Sequence, residues 1–376
     1  MKLEKRKARR LWIHAQKLDV KNPFGPTGPK AITAAIEHLG YVQIDTINVI
    51  ERCHHHILYN RIPKYKRSDL YRSQTIDKSI FEYWTHALSF VATKDFSFFL
   101  NEMKRIQQNP GRWFSSVTKQ DMKKVFELIE DQGPLSIRDI NDDVLVEKTH
   151  AWGSRKPSKK ALSLAFYCGR LVVSERQGML KKYDLTERHF GWDKMPKAAS
   201  ERKVNEYILE RSLRSQCLVS LDSICHLAPQ RKPAIHKIIS SQVNKGELIP
   251  IQIEGIPKNT FWARPQSVEV KLPSPLGRTH ILSPFDPLII QRKRLKAFFD
   301  YDHLFEAYIP KEKRQFGYFG LPVLIDDEIV AVLDLKTDRQ NQKLLMQKWS
   351  WISNKSSSTK TAIEEELHCF EKFQLA

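Results

Sequence analysis

The residues of this sequence that could do chemistry together begin with the triplet Gln43-Ile44-Asp45. In an extended strand alternate side chains point to opposite faces, so Val42 and Ile44 would be buried while Gln43 and Asp45 share the exposed face. An amide and a carboxylate on one exposed edge could hold a water molecule against an electrophilic sugar carbon. The alternative interpretation is a solvated strand end that carries two ordinary polar residues.

The charge of the chain favours a polyanionic partner. Among 376 residues, Lys plus Arg number 62 and Asp plus Glu 43, which gives a net charge of +19. A basic balance with 41% hydrophobic residues is typical of a globular protein that binds nucleic acid. Basic residues interleaved with aromatic ones recur at 61–72, 291–296 and 311–318. Each such cluster alone could be a solvated face, but three together favour nucleic acid.

Other classes of protein lose support. No apolar run approaches the roughly 20 residues of a membrane span, and no secretory signal is visible, so we expect a cytoplasmic protein, nucleoid-associated if bacterial, with no membrane partner. The five scattered cysteines form no Cys-x-x-Cys pair and are predicted to be reduced. Nucleotide-binding and zinc-protease motifs are absent from the sequence, and we predict no cofactor.

His54-His55-His56 invites a metal interpretation. Consecutive side chains on a helix point about 100° apart, and no further ligand stands at zinc-ligand spacing, so no metal site is predicted. At least one of these histidines is instead expected to contact phosphate or a base.

The elements that must position these residues follow a weak internal repeat. Two segments have the order helix, helix, helix, hairpin, which is the order of a winged helix. In the first segment, helices are predicted at 121–130, after Ser136 and at 158–168, and a hairpin at 172–174 and 180–183. In the second segment, helices are predicted at 201–213, after Ser220 and at 233–244, and a hairpin at 249–253 and 259–262. A third copy is predicted near the N-terminus, where a helix at 29–39 ends at Gly40 and an extended segment follows at 41–47.

The C-terminal region changes character. We predict a linker at 265–284, strands at 304–309, 316–325, 328–335 and 343–352 with a tight turn at Asp326-Asp327, and a final helix at 361–373. The predicted fold class is α+β, with three tandem winged-helix modules followed by a small C-terminal β-barrel or antiparallel sheet. The predicted domains are 1–120, 121–195, 196–265 and 266–376, the last including the linker and the terminal helix.

A set of motifs is spread along the chain: LGYVQIDTINV (39–49), HH (54–55), Arg61, WTHA (84–87), YDLTER (183–188), LSPFDPL (282–288), Arg292, Arg294, EAYIP (306–310), KR (313–314), GYFGLP (317–322) and DLKTDR (334–339). In these motifs the chain resembles the winged-helix DNA glycosylases of the YcaQ/AlkX and AlkZ type, which excise alkylated bases and unhook interstrand crosslinks. One departure is Ala331-Val332, where the family often has Gly-Arg.

The resemblance implies three winged helices and a C-terminal β-barrel, and it implies that Gln43 and Asp45 are catalytic. It also implies that the partner is double-stranded DNA, damaged or crosslinked. The basic residues predicted to bind DNA are His54, His55, Arg61, Arg292, Arg294 and Arg314.

A mechanism follows as a hypothesis. A purine alkylated at N7 is already cationic, so its departure needs no general acid, unlike ordinary glycoside hydrolysis. Asp45 would stabilise the oxocarbenium-like sugar and accept a proton from water, and Gln43 would position that water. We predict a monofunctional enzyme that acts as a monomer. A non-catalytic winged-helix transcription regulator and a metal-dependent nuclease remain as alternatives.

Overall fold

The computed structural model describes residues 1–142, 155–257, 259–275, 277–353 and 356–376. The chain divides into two compact units. The first unit contains Met1–Lys66, Thr85–Ser89 and Asn205–Ala376, and the second contains Arg67–Trp84 and Phe90–Val204. Within the described ranges no helix is both long and apolar enough to cross a membrane.

The fold is α+β, as predicted, with small sheets whose strands are mostly antiparallel. The helices are α1 (Lys5–Ala15), α2 (Pro29–Leu39), α3 (Cys53–Tyr59), α4 (Arg67–Thr75), α5 (Leu100–Gln108), α6 (Lys119–Gln132), α7 (Pro157–Tyr167), α8 (Thr186–Phe190), α9 (Glu201–Gln216), α10 (Leu221–Ile224), α11 (Lys232–Asn244), α12 (Pro265–Glu269), α13 (Arg292–Phe299) and α14 (Ser357–Leu375). The strands are β1 (Lys2–Leu3), β2 (Val42–Gln43), β3 (Ile80–Trp84), β4 (Leu88–Ala92), β5 (Leu135–Ser136), β6 (Leu171–Gln177), β7 (Leu180–Leu185), β8 (Ile249–Ile253), β9 (Phe261–Ala263), β10 (Thr279–Ile281), β11 (Gly320–Ile325), β12 (Glu328–Asp338) and β13 (Lys343–Trp351).

One apolar core of the first unit is built around α1. Trp12 on this helix is fully buried and meets Phe298 of α13 edge to face, with ring centroids 5.1 Å apart. The short β1 pairs in parallel with β8, so that Leu3 lies opposite Ile253. The N-terminal helix is therefore a structural element of the core, and its apolar stripe is used in packing.

The C-terminal sheet has the order β10-β11-β12-β13, all antiparallel. The predicted turn at Asp326-Asp327 joins β11 to β12, and α14 fulfils the predicted final helix. The alternative of an antiparallel sheet is thus confirmed, and within the described residues the sheet does not close into a barrel. The segment predicted as a linker, 265–284, contributes α12 and the edge strand β10.

The predicted strand at 304–309 was wrong. This segment bends around Glu306, which is buried and accepts hydrogen bonds from the backbone N–H groups of Gln315 and Phe316 at 2.5 and 2.6 Å. A buried carboxylate needs such donors, and the loop conformation supplies them where a strand ladder would not. The apolar composition of the segment reflects burial and not a strand.

The second predicted repeat has the expected elements in the expected order. Ser220 caps α10 by accepting from the N–H of Ser223 at 3.2 Å, and α11 leads into the β8–β9 hairpin. In the first repeat α6, α7 and the β6–β7 hairpin are present. The helix predicted after Ser136 was wrong for the described part: Ser136 lies in β5, its hydroxyl donates to Asp139, and residues 137–142 form a turn and loop. Residues 143–154 lie outside the described ranges.

A buried histidine, His56, and a half-buried one, His280, give the fold a predictable response to acid. Burial lowers the pKa of His56 to about 4 and that of His280 to about 4, so both are neutral when folded. The unfolded chain binds protons on them below about pH 6.5, whereas the folded protein does not until about pH 4. Their contribution to stability is therefore complete above about pH 6.5 and falls by about 1.4 kcal/mol per pH unit per histidine below it.

We expect the urea midpoint to fall between pH 7.5 and pH 5, and we expect His56→Gln to reduce the slope of the free energy of unfolding against pH. An equal midpoint at both pH values would contradict the assignment of neutral rings to His56 and His280.

Candidate active site

The extended segment after α2 is shorter than predicted. Gly40 ends α2 in the left-handed conformation (φ 81°), and only Val42 and Gln43 form a strand. The N–H of Ile44 donates to the carbonyl of Leu88 at 2.8 Å, which places the loop before β4 beside the triplet. The backbone then turns at Asp45, whose Oδ1 accepts from the N–H of Ile47 at 2.8 Å.

The expectation that Gln43 and Asp45 share one exposed face was wrong for Gln43. Val42 and Ile44 are buried as predicted, but Gln43 is also buried, with 5% of its surface exposed, while Asp45 is half-buried. A strand of only two residues does not maintain the alternation, and the amide of Gln43 has a partner inside the protein.

That partner is His86. Its Nε2 lies 3.0 Å from Oε1 of Gln43, so the ring must carry its proton on Nε2 and donate it to the amide oxygen. Within the described residues, the amide nitrogen of Gln43 has no hydrogen-bond partner. His86 therefore fixes the orientation of the amide and leaves its two N–H donors available.

The surroundings of His86 keep the ring neutral. Burial lowers the pKa of His86 to about 3, and the nearby His226 and Arg211 lower it further. The ring of His226 meets that of His86 at a centroid distance of 5.7 Å, and the ring of Tyr41 meets it from 4.9 Å. A neutral histidine with a fixed tautomer remains a donor to Gln43 throughout the physiological pH range.

Arg211 brings a positive charge to the same place. Its guanidinium lies 5.8 Å from the ring centroid of Tyr41, and within the described residues it has no hydrogen-bond or carboxylate partner. A side chain at Gly40 would begin 3.0 Å from Cδ of Arg211, so this glycine serves both the helix end and the approach of Arg211.

Cys53, at the start of α3, holds the backbone of the triplet. Its thiol donates to the carbonyl of Gln43 at 3.0 Å. Burial raises the pKa of the Cys53 thiol, and the charge of Asp45 raises it further, so the thiol stays protonated. The second carboxylate oxygen of Asp45 has no hydrogen-bond partner in the described part of the chain. The site thus presents two amide N–H donors and one carboxylate oxygen.

Arg61 is not available to DNA, so its prediction as a DNA contact is corrected. Only 2% of its surface is exposed, and all five N–H donors are used. Two of them reach the carboxylate of Asp286 at 2.8 and 3.0 Å, and the others reach both oxygens of Gln16 and the carbonyl of Ile57. Arg61 therefore stabilises the fold of the first unit through these buried hydrogen bonds.

Arg294 is likewise corrected. It is 8% exposed, its guanidinium lies 4.2 Å from the ring centroid of Trp12 and 4.6 Å from that of Phe298, and Nη2 donates to the carbonyl of Leu218 at 2.7 Å. Burial lowers its pKa to about 9. Its environment is the core around α1.

The other predicted DNA contacts are accessible to different degrees. Arg292 is exposed, and its guanidinium lies 5.9 Å from the ring centroid of Phe305. Arg314 is half-buried and lies 5.1 Å from Tyr318. His54 is buried and His55 half-buried, with ring centroids 4.2 Å apart. Arg292 and Arg314 therefore remain the clearest predicted contacts to phosphate.

No role was predicted for His86 or Arg211 from the sequence. The signal for His86 was present in the WTHA motif at 84–87, but nothing in the sequence linked it to Gln43. Arg211 belongs to a helix predicted only as part of the repeat, and its place beside Tyr41 depends on the tertiary fold.

Comparison of the structure with known structures identifies the fold. The chain is similar to Streptomyces sahachiroi DNA glycosylase AlkZ, with a TM-score of 0.63 and 17% sequence identity over 100% of this chain and 97% of that one.

A family match then identifies the class, which is that of the DNA glycosylases, enzymes of DNA repair that act on DNA. Residues 36–373 match the family described as DNA glycosylase AlkZ-like, and the chain belongs to that family. The resemblance inferred from the sequence motifs is thereby confirmed.

Proposed function

We propose that this glycosylase hydrolyses the N-glycosidic bond of cationic alkylated purines, N7-guanine adducts above all, and unhooks interstrand crosslinks. The proposal rests on the fixed amide of Gln43 and the carboxylate of Asp45, two residues along the chain. The amide nitrogen of Gln43 and the second carboxylate oxygen of Asp45 have no hydrogen-bond partner among the described residues. A cationic leaving base needs no general acid, so an amide and one carboxylate suffice for the reaction.

Asp45 is the residue that stabilises charge. One of its oxygens is held by the N–H of Ile47, which fixes the carboxylate, and the other is left to face the sugar or the water. A negative charge held in place stabilises the oxocarbenium-like transition state, and the same group accepts the proton that water loses.

Gln43 positions the water. Because His86 occupies the amide oxygen, the amide nitrogen donates to the oxygen of the water, whose own proton is then free to point towards Asp45. His86 acts through Gln43 and is a positioning residue.

DNA binding is assigned to the three winged-helix modules and to basic side chains of the C-terminal domain. The order α9, α10, α11 and the β8–β9 hairpin supports the third module, and we retain the domains 1–120, 121–195, 196–265 and 266–376 as part of the proposal. Arg292, Arg314 and His55 are the predicted contacts, and Arg211 is added to them because its charge lies beside the site. His54 is not retained, because only 4% of its surface is exposed.

We further infer a monofunctional enzyme that acts as a monomer. A lyase step needs an amine that forms a Schiff base with the sugar. Among the described residues, no lysine is hydrogen-bonded or ion-paired to Gln43 or Asp45. Excision would therefore leave an intact abasic strand.

The proposal is tested on two labelled duplexes in EDTA, one with a single N7-methylguanine and one with an N7-linked interstrand crosslink. We expect strand breaks at the lesion only after alkali, and separation of the crosslinked strands on a denaturing gel. Breaks before alkali would indicate a lyase or nuclease and contradict the monofunctional assignment. No product from either duplex would contradict the proposed substrates.

The role of His86 gives a separate prediction. His86→Phe removes one hydrogen bond to Gln43, so we expect excision about tenfold slower with DNA affinity unchanged. In a Gln43→Ala background the same substitution should have less than about a twofold effect, because both changes remove the same oriented amide. Single-turnover excision rates are measured for wild type, the two single variants and the double variant. If the rate of the double variant is reduced by the product of the two single reductions, His86 acts independently of Gln43.

A further inference from the structure

Leu227 has an unusual place on the surface of the first unit. It is 72% exposed, more than any other large aliphatic side chain among the described residues, the next being Ile76 at 61%. Single exposed leucines are common, so exposure alone decides little. The backbone adds a second observation, because Leu227 has φ 58°, in the left-handed region that favours glycine or asparagine.

The turn that holds Leu227 is well defined. The N–H of Ala228 donates to the carbonyl of Cys225 at 2.9 Å, which makes Leu227 the third residue of a tight turn after α10. That position is usually occupied by glycine when φ is positive. A leucine here retains strain that burial of its side chain does not offset, and strained residues cluster at functional sites.

The turn is next to the active site. The ring of the preceding residue, His226, packs against His86 at 5.7 Å, and His86 holds Gln43. The segment from the turn through α11, residues 225–245, contains four lysines or arginines and no aspartate or glutamate, and one of the four, Lys232, is ion-paired with Asp222 of α10. An exposed apolar side chain that follows the histidine packed on His86 and precedes a basic helix matches the chemistry of a DNA wedge.

We propose that Leu227 enters the base stack of duplex DNA beside the nucleotide held at Gln43 and Asp45. The inference rests on the proposed function, since it names the element that opens the duplex for that site. Inserted apolar side chains unstack a base step and bend the duplex, which widens access to the sugar carbon. The strained turn holds the side chain outward before binding, so little ordering remains to be done on contact.

The test uses a duplex with 2-aminopurine next to a 2′-fluoro N7-methylguanosine, whose glycosidic bond resists cleavage. We expect wild type to raise the 2-aminopurine fluorescence on binding. Leu227→Gly, which relieves the strain and removes the wedge, should lose most of this rise, while Leu227→Met should retain it. On the ordinary N7-methylguanine duplex, Leu227→Gly should excise about tenfold more slowly.

Thermal unfolding of both variants serves as the control, and Leu227→Gly should be at least as stable as wild type. An undiminished fluorescence rise with Leu227→Gly would overturn the wedge, whatever the excision rates. A Leu227-dependent rise in a protein that excises nothing would support the wedge while contradicting the proposed reaction, so the two failures are distinguishable.

Discussion

Asp45→Asn should abolish most base excision while the protein still binds DNA. The asparagine oxygen can still accept from the N–H of Ile47, so the turn and the fold are preserved. What is lost is the negative charge that faces the developing cation and the base that accepts a proton. Removal of such a preorganised group costs about 10²- to 10³-fold in rate, and we expect at least this loss in single-turnover excision of N7-methylguanine.

DNA affinity should change little, because the carboxylate acts in the transition state and not in anchoring. Asp193→Asn is the matched control, since Asp193 is an exposed residue of the second unit and its replacement removes the same charge. A parallel loss of binding and excision in Asp45→Asn, or full excision by this variant, would contradict the role proposed for Asp45.

Arg61→Met should destabilise the fold strongly. The substitution leaves the carboxylate of Asp286 fully buried and without its cation. Breaking a buried pair from one side costs about 3–5 kcal/mol, because the remaining charge is neither hydrated nor neutralised. The donors to Gln16 and Ile57 are lost as well. Urea unfolding of the variant measures the loss.

Arg292→Met is the control, because Arg292 is exposed. We expect the free energy of unfolding of this variant to change by less than about 0.5 kcal/mol. Its DNA affinity should fall, and the slope of the logarithm of the binding constant against the logarithm of salt concentration should decrease by about one. The reverse pattern, a stable Arg61→Met protein with weakened DNA binding, would restore Arg61 as a DNA contact and contradict the structural role.

Local signals in the sequence predicted much of the fold correctly. Pro29 and Gly40 mark the two ends of α2, and Ser220 marks the start of α10, because capping depends on residues within one turn of the chain. The hairpin β6–β7 also follows from local turn residues and strand-forming composition.

The errors share a cause, which is dependence on distant partners. Arg61 was predicted to bind phosphate because the sequence around it does not show that it pairs with Asp286, 225 residues away. Gln43 looked exposed because its partner, His86, lies 43 residues further along the chain. The apolar segment around Glu306 looked like a strand because its composition reports burial and not conformation. Residue type identified the candidate chemistry, but only the tertiary fold separates a reactive side chain from a structural one.

Base excision is tested most directly by identifying the product that leaves the DNA. Wild-type protein would be incubated in EDTA with a duplex that contains N7-methylguanine. The small molecules released would be separated by chromatography, then identified and quantified by mass spectrometry. We expect free 7-methylguanine in an amount equal to the abasic sites formed, and close to none with Asp45→Asn. Release of a methylated nucleotide, or of no base at all, would contradict base excision.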